Sequence, residues 1–153
     1  VKNWIKAFRM RTLPLALSSI ILGGFLSARA EKLNFLVTAL AVITTISLQI
    51  LSNLANDFGD FKAGTDNDER TGPTRSVQGG DITENNMKKA IYIFIGLSFI
   101  CGSLLIYFGT LGMSVVNLIT FFFIGILAIA AAVNYTMGNN LYGYKGYGDF
   151  FVL

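Results

Sequence analysis

Three stretches of this chain carry no charged side chain: Thr12 to Ala28, Asn34 to Asn56 and Ala90 to Tyr144. A helix needs about 20 predominantly apolar residues to cross the hydrocarbon of a bilayer, so each of the first two stretches suffices for one crossing. The third is too long for one crossing and must turn. Small and polar residues break its apolar pattern at Gly109-Thr110-Leu111-Gly112-Met113-Ser114, which is where the turn is expected. The pattern predicts four transmembrane helices, at about 12–30, 34–58, 89–109 and 115–137, with a loop over about 59–88. The expected fold class is all-α integral membrane, with residues 1–153 forming a single membrane domain.

Composition agrees with that reading. Hydrophobic residues make up 53% of the chain and charged residues 14%, with a mean hydropathy of +0.57. Soluble domains run nearer ~25% charged. The first apolar run is read as a retained span and not as a cleaved leader, because it follows a basic amphipathic segment (Lys2, Trp4, Lys6, Phe8, Arg9, Arg11) and contains Pro14. Lysine and arginine gather before the first span and between the second and third, whereas the turn after the first span has only Arg29 and Lys32 with Glu31. The positive-inside rule then puts the amino terminus and the loop 59–88 on the cytoplasmic side of a cell's inner membrane.

The second apolar run ends in amides and carboxylates. Continued helical period puts Asn53, Asn56, Asp57 and Asp60 on one face, with Gln49 a turn earlier and Ile50, Leu51, Leu54, Ala55 and Phe58 on the other. Such groups do not stand alone in hydrocarbon. Two readings are open: a functional site at one membrane face, or a polar seam satisfied by neighbouring helices.

Charge in the following loop favours the site. Seven of the nine carboxylates and five basic residues lie between Asp57 and Lys89. Gly59, Gly64, Gly72-Pro73 and Gly79-Gly80 allow tight turns there, and Asp81-Ile82-Thr83-Glu84 has the form of a helix-starting capping box. Carboxylates beside Lys62, Arg70 and Arg75 suit a diphosphate. Hard cations bridging carboxylate and phosphoryl oxygens reverse the local charge, and arginine binds the remaining oxygens. With no histidine and a single cysteine, Cys101, the metal would be held by oxygen, which favours Mg²⁺, with Mn²⁺ as a substitute. No phosphate-binding P-loop or dinucleotide fingerprint is present. The net charge of +3, with basic residues interleaved among acids, argues against nucleic acid as a partner.

The run Asn53-Leu54-Ala55-Asn56-Asp57-Phe58-Gly59-Asp60, then Lys62-Ala63-Gly64-Thr65-Asp66 and Arg70-Thr71-Gly72-Pro73-Thr74-Arg75, resembles the first Asp-rich motif of the UbiA superfamily of membrane aromatic prenyltransferases. Arg9-Met10-Arg11-Thr12-Leu13-Pro14 and Tyr142-Gly143-Tyr144-Lys145-Gly146-Tyr147-Gly148-Asp149 look most like its branch acting on 1,4-dihydroxy-2-naphthoate in menaquinone biosynthesis. The resemblance implies a helical bundle with a cytoplasmic Asp-rich loop. It also implies transfer of a polyprenyl group from an allylic diphosphate to an aromatic acid. Asn56, Asp57, Asp60 and Asp66 would hold Mg²⁺, with Asp57, Asp60, Arg75 and Lys145 acting in catalysis. Asn53, Asn56, Lys62 and Arg70 would bind the polyprenyl diphosphate, and Arg11, Tyr142 and Tyr144 the aromatic acid acceptor. For Arg11 and the tyrosines, anchoring at the membrane interface is the alternative role.

Family members have about nine spans and a second Asp-rich motif, so a chain of four spans is expected to be an incomplete, inactive portion. The rival from another class is a transporter or channel module, with Gln49, Asn53, Asn56 and Asp57 lining an ion path.

Overall fold

The computed structural model describes residues 1–64 and 75–135. Asp66, Asp68 and Arg70, and Tyr142, Tyr144, Lys145 and Tyr147 near the end, lie outside the described residues. The chain runs through a short helix α1 (Lys2–Phe8), a single 3₁₀ turn (Met10–Thr12), and four long helices: α2 (Leu13–Arg29), α3 (Phe35–Ala63), α4 (Glu84–Gly109) and α5 (Val115–Asn134). Among the described residues there is no strand. The stretch Lys2–Arg29 and the helices α3, α4 and α5 are each long and apolar enough to cross a membrane.

Local chemistry sets the helix ends. Pro14 sits in the first turn of α2, where its missing N–H leaves nothing unsatisfied. Asn34 caps α3, its Oδ1 accepting the Val37 N–H at 3.1 Å. Ser114 caps α5 in the same way, accepting from the Asn117 N–H at 3.4 Å. α3 closes at Gly64, whose φ of 68° falls in the left-handed region that glycine enters at little steric cost.

Two expectations shift. Gly59, taken from the sequence to open the loop, is a buried helical residue, because Phe58 packs into the core and the helix runs on to Ala63. The start of α4 is capped by Thr83, not by Asp81: the Thr83 hydroxyl accepts the Asn86 N–H at 3.4 Å. Asp81 is occupied elsewhere. Its carboxylate takes the Lys6 ammonium at 2.7 Å and its carbonyl accepts from the Asn3 amide at 3.1 Å.

α3 is the central helix. Its buried positions Leu40, Thr44, Ser47, Leu51, Leu54 and Phe58 advance by alternate steps of four and three, the seam of a helix packed lengthwise against a neighbour. Below Ile50 burial spreads round the helix. Leu51, Leu54 and Phe58 meet Ala7 of α1, Leu13 of α2, Val77 and Ile82 of the loop, and Met87 and Ile91 of α4. Phe8 stacks edge-on against Phe94, with ring centroids 5.5 Å apart, and fastens α1 to α4. The tightest packing therefore lies at the end of the bundle that carries the polar stripe. Elsewhere the helices present apolar residues outward, and α5 has no buried residue, as expected where lipid supplies the surroundings.

Candidate active site

Because α3 stays helical to Ala63, the whole stripe from Gln49 to Asp60 is fixed on one helix. Its members are not equally covered. Asn53 is 4% exposed and Asp57 2%, whereas Gln49, Asn56 and Asp60 are less completely covered.

The loop folds back onto the two carboxylates. Arg75 Nη2 lies 2.6 Å from Asp60 Oδ2, and the backbone N–H of Ser76 donates to Asp57 Oδ2 at 3.1 Å. Charge-assisted bonds of this kind are the stronger members of their class. Compact turns hold the two donors in place: Gly79 N–H donates to the Arg75 carbonyl at 2.9 Å and Ile82 N–H to the Ser76 carbonyl at 3.0 Å. Gly80, at φ 70°, lets the chain reverse so that Val77 and Ile82 enter the core on either side of it.

The other flank of the stripe meets the junction between α1 and α2. Asn53 Nδ2 donates to the Phe8 carbonyl at 3.0 Å and to Thr12 Oγ1 at 3.1 Å, and Gln49 Nε2 donates to the same hydroxyl at 3.2 Å. Arg9, between Phe8 and Thr12, adopts φ 50° and ψ 57°. A non-glycine residue costs about 1–3 kcal/mol in that region and stays there only when its surroundings over-determine it. Arg9 is half-buried with its Nη2 covered, while Arg11, the residue chosen from sequence to meet the acceptor, is exposed. Sequence reasoning missed the left-handed junction at Arg9, since apolar periodicity contains no mark of one.

Lys62 is not drawn to the carboxylate pair. It bridges to Glu84 at 2.7 Å and lies over the rings of Phe58 and Phe61, tying α3 to α4. Thus Asp57 and Asp60 meet the Arg75–Ser76 segment, with Asn53 one turn earlier on α3, while Lys62 turns to Glu84 and Arg11 is exposed. Among the described residues no group of three carboxylate, thiol or imidazole side chains gathers.

The sequence carries a family signature over most of its length: residues 16–152 match the model of the UbiA prenyltransferase family. The chain belongs to the UbiA prenyltransferase family. Among curated relatives of this UbiA chain are proteins named 1,4-dihydroxy-2-naphthoate octaprenyltransferase. That of Haemophilus influenzae is 44% identical over 155 residues, covering 100% of this chain and 50% of the relative. That of Escherichia coli is 44% identical over 150 residues, with 98% and 48% covered. The Mycobacterium tuberculosis protein of the same name is 32% identical over 147 residues, with 96% and 47% covered. The chain spans about half the length of these relatives. No solved structure matches it.

Proposed function

We propose that the full-length protein transfers a polyprenyl group from an allylic diphosphate to an aromatic acid, with 1,4-dihydroxy-2-naphthoate as the acceptor. It would do so at the cytoplasmic face of the inner membrane. One observation carries the reading: Asp57 and Asp60, on successive turns of α3, meet Ser76 N–H and the Arg75 guanidinium at the polar head of an apolar bundle. Such a site receives a charged diphosphate at the membrane surface while its prenyl tail stays among apolar helices.

Hard oxygen donors, with no histidine among residues 1–153, suit Mg²⁺. Asp57, Asp60 and Asn56 would hold it, with Asp66 joining from the loop, and when bound it would neutralise charge developing on the leaving diphosphate. Arg75 would trade its carboxylate partner for a phosphate oxygen, adding a preorganised donor on the leaving group, with Lys145 as a second. Arg70 would lie along the same diphosphate. Departure of the diphosphate breaks the allylic C–O bond. The electron-rich acceptor ring attacks the resulting cation, and in the naphthoate reaction the ring carboxylate leaves as the ring regains aromaticity. Leu54 and Phe58, near Asp57 on α3, pack with Val77 and Ile82 in the core and would help keep water from the cation. Tyr142 and Tyr144 would line the acceptor pocket.

The ion-path alternative has less support. Gln49 and Asn53 direct their amide donors into the α1–α2 junction and not along a channel between helices.

The test is reconstitution of the full-length protein in lipid nanodiscs with 1,4-dihydroxy-2-naphthoate and an allylic diphosphate, following product by mass spectrometry. A decarboxylated, prenylated naphthoquinol is expected. Transfer only to a different aromatic acid would move the protein to another branch of the family, and no transfer to any acceptor would refute the reading.

A further inference from the structure

We propose that Thr12 is a positioning residue for this site, acting through Arg9; the inference rests on the prenyl-transfer reading above. A threonine hydroxyl has one proton to give and two lone pairs. At Thr12 all three are used. Its Oγ1 donates to the Arg9 carbonyl at 2.9 Å and accepts from Gln49 Nε2 at 3.2 Å and Asn53 Nδ2 at 3.1 Å. The Asn53 amide also donates to the Phe8 carbonyl at 3.0 Å.

The consequence lies in which carbonyls are held. The Phe8 carbonyl belongs to the peptide plane before Arg9 Cα, and the Arg9 carbonyl to the plane after it. The orientations of those two planes are the φ and ψ of Arg9. Both are fastened, one to Asn53 directly and one to the Thr12 hydroxyl, which joins the Thr12 N–H on the Arg9 carbonyl (2.8 Å); together they hold Arg9 at φ 50° and ψ 57°, an uncommon conformation for a residue with a side chain. Without the clamp the residue would relax toward the right-handed region and its Cα–Cβ bond would point elsewhere. The guanidinium would then leave its covered seat for surroundings like those of exposed Arg11.

Asn53 stands one turn from Asp57 on α3. The helix that presents the carboxylates therefore also sets the direction of Arg9. A guanidinium so placed would receive an anionic oxygen pair, supplied either by the acceptor's carboxylate or by the diphosphate. Thr12 itself touches neither and acts by holding the backbone.

The experiment compares Thr12→Val, which keeps the shape but removes the hydroxyl, with Thr12→Ser, which restores it, in the full-length protein in nanodiscs. For Thr12→Val the KM of one anionic substrate should rise about tenfold while kcat changes by less than about threefold, the size expected when one partner of a buried polar cluster is lost. A raised acceptor KM assigns Arg9 to the carboxylate, and a raised diphosphate KM assigns it to phosphate. Thr12→Ser should stay within about threefold of the parent, the residual cost of a less constrained hydroxyl. A second readout needs no turnover: trypsin should cut the Arg9–Met10 bond faster in Thr12→Val and not in Thr12→Ser, seen as a new amino terminus at Met10.

Faster cleavage with both KM values unchanged would overturn the positioning role while leaving prenyl transfer intact. Unchanged cleavage would overturn the clamp. A parent protein that transfers nothing would refute the assigned reaction and this role in it, and the cleavage rates would show whether the clamp exists apart from that reaction. Should Thr12→Val fail to fold, Gln49→Met removes one donor to the hydroxyl and should raise the same KM by a smaller factor. No rise there would overturn the proposal.

Discussion

The Arg75 guanidinium rests 2.6 Å from the Asp60 carboxylate, with both side chains more than four-fifths covered. Its neighbour Ser76 gives a backbone N–H to Asp57. Two consecutive loop residues thus answer two carboxylates one helical turn apart, and the loop is latched to α3 at the point where the diphosphate is proposed to bind. The pairing is reversible in kind: a phosphate oxygen offers Arg75 the same charge-assisted geometry as Asp60 does.

Replacing Arg75 by alanine in the full-length protein should lower kcat by about 100-fold, the loss typical of removing one preorganised donor to a developing anion. Arg75→Lys should recover part of that rate, since it keeps the charge and loses the planar fork. Steady-state rates in nanodiscs, with thermal unfolding followed in parallel, check this. A kcat for Arg75→Ala within threefold of the parent would limit Arg75 to latching the loop.

Asp57→Asn and Asp60→Asn should each abolish detectable transfer while leaving the protein folded. The amide keeps an oxygen able to accept the Ser76 N–H or an Arg75 N–H, and the packing volume is nearly unchanged, but the negative charge that would hold a divalent cation is gone. Size-exclusion profiles and unfolding temperatures close to the parent's, beside absent product, are the expected pair of results. Normal turnover in purified Asp57→Asn would remove this residue from the chemistry.

Much of the fold was legible because charge-free runs reveal four long apolar helices, and helical spacing alone put Asn53, Asp57 and Asp60 on one face. What was not legible depended on backbone groups. Ser76 has an ordinary loop side chain, yet its amide N–H meets Asp57, and an amide leaves no signature in sequence. Arg9 resembles any interfacial basic residue until its left-handed φ is seen. Asp81 fits the spacing of a helix cap, but Lys6, from the other end of the sequence, takes its carboxylate. Such long-range competition for a polar group lies outside any local window.

Chelation should stop the reaction completely. With Asp57 and Asp60 as the proposed anchors and no imidazole or thiol pair among residues 1–153 to retain a softer metal beside them, EDTA should reduce transfer to background, Mg²⁺ or Mn²⁺ should restore it, and Ca²⁺ should restore it poorly because Ca²⁺ favours longer bonds and more ligands. Product formation is measured before and after dialysis against each ion. Full activity in the presence of excess chelator would count against oxygen-held metal at this site.

The proposed sidedness can be tested because two contacts say which residues share each end of the bundle. Lys6 pairs with Asp81, so the amino terminus shares one end of the bundle with the carboxylates and the start of α4. At the other end, Gly109 of α4 lies beside Val37 of α3, next to the turn that contains Ala30. Lys2, Lys6, Arg9, Arg11, Lys62, Arg75, Lys88 and Lys89 all belong to the first end, against Arg29 and Lys32 at the second, and the positive-inside rule is the ground on which the first end is proposed to be cytoplasmic. Ser76 looks from sequence like a natural reporter for the loop, but it is 1% exposed and a thiol there would be shielded. Asn85 and Ala30 are exposed and serve instead. With Cys101 replaced by alanine, Asn85→Cys should react with an impermeant maleimide only in inverted vesicles, and Ala30→Cys only from the opposite face. Labelling of Asn85→Cys in right-side-out vesicles would invert the topology and place the proposed diphosphate site on the wrong side of the membrane for a cytoplasmic substrate.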